Sequence, residues 1–234
     1  MVHLSFCGRD FVVLGANALF WPERRALLVA DLHFEKASSY ARAGQMLPPY
    51  DSAATLAVLE PLVAETGAEA LYCLGDSFHD GESPERLPAR VRGQLMTLTR
   101  RLDWIWITGN HDAGAERFPG GRVEDQWELD GIILRHEAEA GECRPEISGH
   151  FHPCLRLNMR GRAVSRRCFV RAGNRLIMPA FGALTGGLDS RDPAISERLG
   201  NECEALISAG GRLLTFPLGP CAQGHDVTEW GATG

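Results

Sequence analysis

Two short apolar stretches decide the fold class of this chain. The first is Ala70-Leu-Tyr-Cys-Leu74, followed at once by Gly75-Asp76, and the second is Trp104-Ile-Trp-Ile107, which ends in Gly109-Asn-His-Asp112. Short apolar runs bounded by glycine are typical of buried strands. The segment from Val91 to Leu102 between them has the character of a helix. A strand, a helix and a strand in succession predict an α/β fold with a parallel sheet.

The residues before this unit predict further strands and a helix. Residues 3–30 contain apolar runs separated by glycine, asparagine, proline and charged turns, as in a set of short strands. Asp51 is then expected to cap the start of a helix, and Gly67 is expected to end it. The strand–helix alternation therefore begins well before residue 70.

The pattern changes to strands from about residue 126. Apolar runs on either side of Asp130-Gly131 predict a hairpin, and later runs are separated by glycine turns. The stretch from Gly81 to Pro88 is expected to be an exposed loop. We expect one domain over residues 1–234, with residues 223–234 as a loose tail.

Composition places the chain among ordinary globular proteins. Of its 234 residues, 44% are hydrophobic and 23% are charged, which argues against disorder and against collagen-like repeats. Lys and Arg together number 24 against 30 Asp and Glu, giving a net charge of −6. This balance disfavours a generally basic nucleic-acid coat protein, while a local basic face stays open.

Other counts bear on the compartment. The sequence has no run of 18 apolar residues, so no transmembrane helix is expected. Its first six residues lack a positive segment followed by an apolar one, so no secretory signal is expected. The seven cysteines are odd in number and form no CxxC pair, which argues against a disulfide framework and a zinc ribbon. We therefore expect a cytoplasmic protein.

Polar clusters follow four of the predicted buried strands. Ligands of an open α/β sheet bind beyond the carboxyl ends of the strands, so separate strands would deliver the clusters to one edge. The clusters are Asp31-Leu-His33, Gly75-Asp76-Ser-Phe-His79-Asp80, Gly109-Asn110-His111-Asp112 and Gly149-His150-Phe-His152.

Each cluster has the composition of a metal site. Carboxylate and imidazole without thiolate suit manganese, iron or zinc. Glycines at 75, 109 and 149 allow sharp turns and a close approach of the backbone. Any one cluster could instead be a surface or core histidine, or a turn closed by an Asx cap. Four clusters in order, each after a strand, favour the metal interpretation.

The order of these motifs, D-x-H, G-D, G-N-H-D, H and G-H-x-H, resembles the calcineurin-like metallophosphoesterase superfamily over about residues 25–155. The resemblance implies an α/β fold of the four-layer αββα sandwich type and a centre of two divalent metals. Two metals can clamp the attacking and leaving oxygens of a displacement at phosphorus.

The resemblance implies seven metal ligands, three for one ion, three for the other and one shared. They are Asp31, His33 and His152; Asn110, His136 and His150; and the bridging Asp76. His136 comes from a segment that varies in the family. It ends an apolar strand and is the single candidate between the third and last clusters.

His111 follows the asparagine ligand and has a different implied role. By resemblance it would contact a phosphoryl oxygen or protonate the leaving oxygen, and Asp112 would orient it. Both are therefore candidate catalytic residues.

Finer details resemble one bacterial branch, the ligase-associated DNA-damage-response endonuclease group. They are Asp31-Leu-His-Phe-Glu-Lys36, Gly75-Asp-Ser-Phe-His-Asp80 and Met178-Pro-Ala-Phe-Gly182. This resemblance implies manganese-dependent hydrolysis of phosphodiesters in DNA, with iron or zinc as alternatives. It also implies a DNA ligase and a helicase as repair partners.

Two further features are candidate substrate contacts. His79 would lie at the edge of the site, or would simply belong to a polar loop. Residues 147–188 contain seven arginines and no acidic residue, so this run, with Arg166 and Arg167 in its middle, could track DNA phosphates. Alternatively, the run is a solvated hairpin paired with acidic surface.

Three functions therefore stay open. The first is a DNA phosphodiesterase or endonuclease. The second is a phosphodiesterase of the same fold acting on a cyclic nucleotide or a nucleotide-linked metabolite. The third, of another class, is a non-catalytic scaffold that binds a repair partner. The intact ligand positions favour an enzyme, and the arginine run favours DNA.

Overall fold

The computed structural model of the chain describes residues 2–115, 117–159, 161–200 and 202–219. The predicted tail at 223–234 lies outside these residues, as does Arg160 of the arginine run.

The described residues form five α-helices: α1 (Lys36–Arg42), α2 (Asp51–Thr66), α3 (Ser83–Arg86), α4 (Ala89–Arg101) and α5 (Pro193–Leu199). Two 3₁₀ turns cover Gly15–Asn17 and Pro22–Arg24. The strands of the first half are β1 (Val2–Phe6), β2 (Arg9–Val13), β3 (Leu19–Trp21), β4 (Ala26–Val29), β5 (Ala70–Leu74), β6 (Asp103–Ile107) and β7 (Arg122–Glu124). Those of the second half are β8 (Gln126–Leu129), β9 (Ile132–Arg135), β10 (Glu146–Ser148), β11 (Cys154–Met159), β12 (Arg162–Arg167), β13 (Phe169–Ala172), β14 (Arg175–Ile177), β15 (Cys203–Ala209) and β16 (Arg212–Leu218).

The first sheet contains β1 to β7 in chain order. Strands β1 to β4 pair antiparallel, and β4 to β7 pair parallel. Helix α2 connects β4 to β5 and α4 connects β5 to β6. The carboxyl ends of β4, β5 and β6 therefore share one edge, and the predicted parallel sheet is confirmed.

The second sheet has the order β16-β15-β13-β14-β10-β9-β8. Strand β10 runs parallel to both β9 and β14, and the other neighbours are antiparallel. Strands β8 and β9 form the predicted hairpin, with Asp130 and Gly131 in the left-handed conformation at its turn. The change to strands after residue 126 is confirmed as well.

The layers of the sandwich are seen from the face of the sheet on which each apolar side chain packs. In β6, Ile105 and Ile107 pack between the two sheets, while Trp104 and Trp106 pack under the helices. A parallel strand buried on both faces reads as a continuous apolar run, as this one does. On the outer face of the second sheet, Ile195 of α5 packs with β11 and β13. The predicted four-layer αββα sandwich is confirmed, and its fourth layer is thin.

Two local predictions are corrected, one is confirmed, and two helices were not predicted. Helix α2 begins at Asp51, and the carboxylate of Asp51 accepts a hydrogen bond from Ala37 N (3.0 Å) at the start of α1 instead of capping its own helix. Gly67 ends α2 in the left-handed conformation, as predicted. The expected loop at 81–88 contains the short helix α3, in which Ser83 and Pro84 are buried. Helices α1 and α5 had no predicted counterpart.

Within the described residues, no helix combines the length and apolar character needed to cross a membrane.

Candidate metal centre

Five strand ends deliver the predicted metal ligands to one edge of the sandwich. Asp31 follows β4, Asp76 follows β5, Asn110 follows β6, His136 follows β9, and His150 follows β10. Each of these five ligands lies within three residues of the end of its strand, and His33 and His152 lie four residues beyond the ends of β4 and β10. The sheets therefore fix the positions of side chains that are far apart in sequence.

Two glycines allow these strand ends to approach one another. A Cβ on Gly75 would lie 2.2 Å from His136 Nδ1, and a Cβ on Gly109 would lie 2.2 Å from Asp76 Oδ1. Real Cβ atoms do not make such contacts, so any other residue would displace a ligand side chain. The predicted role of these glycines in close packing is thus visible in the geometry.

The first ligand set contains Asp31, His33 and His152. His152 Nε2 lies 3.2 Å from Asp31 Oδ1 and 3.2 Å from His33 Nε2. Asp31 is fully buried, and both of its carboxylate oxygens accept from His150 N, at 3.1 and 3.2 Å. These three side chains form one of the groups whose ligand atoms all lie within 4.8 Å of one another.

The second ligand set is centred on the ring of His136. Its Nε2 lies 3.0 Å from Asn110 Oδ1, 3.0 Å from His150 Nδ1 and 3.5 Å from Asp76 Oδ2. Its Nδ1 lies 3.2 Å from Leu74 O. The carbonyl accepts the Nδ1 hydrogen, so the Nε2 lone pair is directed at the other three side chains.

Asp76 lies between the two sets. Its Oδ1 accepts from His111 N (2.9 Å), while its Oδ2 lies 3.9 Å from His33 Nε2 and 3.5 Å from His136 Nε2. One oxygen is thus fixed by the backbone and the other faces both sets. This is the placement that a shared ligand requires.

Five of the predicted ligands have a strained backbone. A left-handed conformation costs a residue other than glycine about 1–3 kcal/mol, and such strain clusters at functional sites. The φ angles are 54° for Asp31, 46° for His33, 45° for Asp76, 72° for His150 and 46° for His152. The surrounding fold compensates this strain at the edge where the ligands converge.

The imidazoles of two predicted ligands, His33 and His150, are held neutral. Burial and the neighbouring His152, together with Lys36, lower the pKa of His33 to about 2. Burial and the ring of His136 also lower the pKa of His150. Neutral imidazole is the form that binds metal, so these shifts favour ligation at physiological pH.

The donor set fits divalent metal ions. Between His33 and His152, and again between His136 and His150, ring nitrogens approach to 3.2 and 3.0 Å. When two unprotonated nitrogens are this close, their lone pairs repel each other. A cation bound by both nitrogens removes this repulsion. Carboxylate, amide and imidazole donors suit manganese, iron or zinc.

A model of the family described as calcineurin-like phosphoesterase matches residues 24–154, which include all of these ligands. The match covers more than half of the chain. This chain is a calcineurin-like phosphoesterase. The resemblance seen in its sequence motifs is confirmed, and the family makes it a metal-binding hydrolase of phosphoester bonds.

Solved structures provide further comparisons for this phosphoesterase. It is 33% identical to the nuclease MPE of Pseudomonas putida, with a TM-score of 0.71, over 92% of this chain and 98% of that one. It is 17% identical to Yfce, a phosphoesterase from E. coli, with a TM-score of 0.38, over 82% of this chain and 98% of that one. A sequence comparison with curated proteins finds no match.

His111 of this phosphoesterase lies at the open side of the ligand sets. Its side chain is 40% exposed, and its Nε2 lies 4.0 Å from Asp76 Oδ2. Its Nδ1 lies 2.9 Å from the carbonyl oxygen of His79, which accepts the ring hydrogen. Nε2 is thus the ring nitrogen that this contact leaves free, on the side of Asp76.

Asp112 does not have its predicted role of orienting His111. Its buried carboxylate accepts from Gly109 N (2.7 Å), Ser77 N (2.7 Å) and Phe78 N (3.2 Å). Burial raises the pKa of Asp112, and these backbone donors act against that rise. The residue ties the third cluster to the second, and the carbonyl of His79 orients the ring instead.

His79 is half-buried beside both His33 and His111. Burial, Lys36 and His111 lower the pKa of His79 to about 4, so its ring is neutral. The ring of Tyr40 lies 5.6 Å from it. Its predicted contact with substrate stays a prediction. Sequence analysis missed that the carbonyls of Leu74 and His79 orient the rings of His136 and His111, because main-chain carbonyls carry no residue-specific signal.

The arginine-rich hairpin, defined as β11 and β12 (Cys154–Met159 and Arg162–Arg167), starts two residues after His152. Arg167 at its end donates to Ala180 O (2.9 Å), Gly182 O (3.1 Å) and Thr185 Oγ1 (2.6 Å). The prediction that Arg167 binds substrate is corrected, because its guanidinium is used within the fold. Arg166 is exposed, so its role as a phosphate contact stays a prediction.

Three more arginines of the run have acidic partners. Arg171 Nε donates to Glu204 (2.6 Å), and Arg175 Nη2 lies 3.1 Å from the buried Glu146. Arg156 is exposed, but its Nε lies 3.9 Å from Asp189. The exposed arginines without an acidic partner in the described part of the run are therefore Arg162 and Arg166.

Proposed function

We propose that this phosphoesterase is a phosphodiesterase with two divalent metal ions that cleaves DNA in repair. Manganese is the first choice of metal, and iron or zinc are the alternatives. One observation carries the proposal: a set with carboxylate and imidazole donors and a set with amide and imidazole donors have the carboxylate of Asp76 between them. Paired metals with a shared carboxylate are the arrangement used for in-line displacement at phosphorus.

The chain's own residues suggest how the reaction is organised. When bound, such ions supply Lewis acidity to the phosphoryl group and to the attacking water. His111 donates its Nδ1 hydrogen to the carbonyl of His79, so its Nε2 can hold or release a proton toward the leaving oxygen. The 2.9 Å bond from His111 N to Asp76 Oδ1 keeps that ring next to the carboxylate that both sets share.

DNA as the substrate is supported by two features. The likeness to a nuclease extends over almost the whole of both chains at 33% identity. Asn110 and His111 are exposed, so a large phosphodiester can reach the ligand sets. A role beside a DNA ligase or a helicase rests on the resemblance of the sequence motifs.

A small substrate is the second candidate, and the arginine run gives the reason. Arg167, Arg171 and Arg175 are used inside the fold, which leaves fewer charges for tracking a DNA backbone than the sequence indicated. A cyclic nucleotide or nucleotide-linked ester needs few such contacts. The scaffold function, the third candidate, has no feature of this kind in its favour.

A substrate comparison tests the proposal. The purified protein is stripped of metal, reloaded with manganese, iron or zinc, and assayed on single-stranded DNA, duplex DNA and a chromogenic phosphodiester. We expect cleavage of DNA and of the ester, and loss of both after chelation. Hydrolysis of the ester without DNA cleavage under any of the three metals would favour the small-substrate enzyme. Metal binding without any hydrolysis would favour the scaffold.

A further inference from the structure

His79 contacts two residues of the site without belonging to either ligand set. Its ring Nδ1 lies 3.4 Å from Nδ1 of His33, and its carbonyl oxygen lies 2.9 Å from Nδ1 of His111. The rings of His79 and His111 stack, with centroids 4.9 Å apart at an interplanar angle of 21°. One residue therefore contacts both a metal ligand and the candidate acid.

The ring contact bears on the tautomer of His33. Nε2 of His33 faces His152 and Asp76, so this nitrogen provides the lone pair for a metal. A neutral imidazole that ligates through Nε2 carries its hydrogen on Nδ1, and that hydrogen needs an acceptor. The atom that faces Nδ1 is Nδ1 of His79.

The carbonyl contact is independent of the ring. His79 N donates to Phe34 O (3.1 Å), and the two preceding amides donate to Asp112. The backbone of this loop is thus held from both sides. Replacing the side chain of His79 leaves the acceptor for His111 in place.

We propose that His79 is a positioning residue that acts on the centre through two acceptors. Its ring Nδ1 accepts from His33 and selects the tautomer in which His33 ligates through Nε2. Its carbonyl accepts from His111 and turns the other nitrogen of that ring to the substrate. The proposal rests on the proposed function in taking Asp31, His33 and His152 as a ligand set.

Two variants separate the acceptor from the rest of the ring. In His79→Asn, the amide oxygen takes the place of Nδ1 and can still accept from His33. In His79→Gln, the amide reaches the position of Nε2, and no acceptor faces His33. His3→Gln, on an exposed position of β1, is the matched control.

The first measurement is manganese binding by calorimetry. Loss of a hydrogen bond to a ligating histidine weakens metal binding by about 10–100-fold. We expect a loss of this size in His79→Gln for one ion, and a change of less than about threefold in His79→Asn. The second ion and the His3→Gln control should bind as in the unaltered protein.

The second measurement is the tautomer of each histidine by ¹⁵N NMR in the metal-free protein. The Nδ1 hydrogen of His33 should persist in His79→Asn and become less populated in His79→Gln. His111 should keep its Nδ1 hydrogen in both, because the carbonyl remains. Melting temperatures within a few degrees of the unaltered protein would show that both variants fold.

Three results would overturn the proposal. Equal metal affinities in the Asn and Gln variants would leave His79 as a packing residue. An unchanged His33 tautomer in His79→Gln would show that the ring contact does not set this tautomer. Three ions per chain, falling to two in both variants, would make His33, His79 and His111 an ion site of their own, as their mutual distances permit. Neither measurement contains DNA, so a failure to cleave DNA would leave this proposal standing.

Discussion

The metal centre and the arginine-rich hairpin are neighbours along the chain, since β11 begins two residues after His152, but they use their polar side chains differently. In the centre, residues from five strand ends turn to one point. In the hairpin and the strands after it, arginines turn to different partners: Arg167 to a loop, Arg171 to Glu204 and Arg175 to Glu146.

The difference has a simple geometric cause. Successive side chains of a strand point to opposite faces, so a run of like charges along β12 to β14 is divided among several surfaces. Residues just beyond the carboxyl ends of parallel strands share one edge whatever their separation in sequence. Short motifs after strands therefore predict a site better than charge density along strands does.

The largest effect is expected at the carboxylate between the ligand sets. Asp76→Asn removes the charge that both sets share, so both ions should bind more weakly and hydrolysis should fall by at least about 10³-fold. Metal content and turnover of a chromogenic phosphodiester measure this. Asp103→Asn, an exposed change at the far end of β6, is the control. Two tightly bound ions in an active Asp76→Asn protein would refute the shared role.

The next effect separates chemistry from metal binding within the centre. His111→Ala should keep both ions but lose about 10²–10⁴-fold in turnover, the range typical of a general acid. Metal analysis measures the ions that the variant binds, and single-turnover kinetics on DNA measure its chemical step. If the variant binds fewer ions and is inactive as well, His111 belongs to the ligand sets.

The third prediction compares two arginines of the run by stability. Arg175→Met leaves Glu146, which is fully buried, without one of its two arginine partners, and should lower the free energy of unfolding by about 3–5 kcal/mol. Arg166→Met on the exposed face should change it by less than about 0.5 kcal/mol. Urea unfolding of both variants tests the contrast. Equal decreases would mean that the run acts as one unit.

The smallest effect concerns binding of DNA by the hairpin. Reversing Arg162 and Arg166 to glutamate should weaken DNA binding and reduce the salt slope by about 0.9 for each phosphate of duplex DNA that the protein no longer neutralises. Turnover of a chromogenic phosphodiester should not change. Arg100 and Arg101, exposed at the end of α4 away from the centre, give the matched control reversal. An unchanged salt slope would remove the hairpin from the DNA-binding surface.

Much of the fold was predictable because its apolar runs are short and clearly bounded. The strands β5 and β6, the helices α2 and α4 and the β8–β9 hairpin all agree with the sequence pattern. Helix α1 was missed because it begins after left-handed Glu35 and is held by the carboxylate of Asp51, a contact over 14 residues. No local pattern encodes such a contact.

The candidate site likewise has features that the sequence predicted and features that it did not. The strand-end motifs contain the side chains of both ligand sets, and even His136 could be assigned as the histidine that ends an apolar strand. The partners of Asp112, His79 and Arg167 could not be assigned. Each depends on which backbone group lies nearby after folding, and backbone groups are alike in every sequence.

The sequence by itself determined the family and the α/β sandwich, because its motifs resemble those of the calcineurin-like metallophosphoesterases. It also determined which residues converge at one edge, because hydrophobic periodicity predicts the strands whose ends carry these motifs. The tertiary structure alone decided which hydrogen-bond partners orient those residues and which arginines remain exposed on the surface. A carboxylate or guanidinium bonds to whatever donor or acceptor lies within about 3 Å, and that distance is set by packing between segments that the sequence keeps far apart.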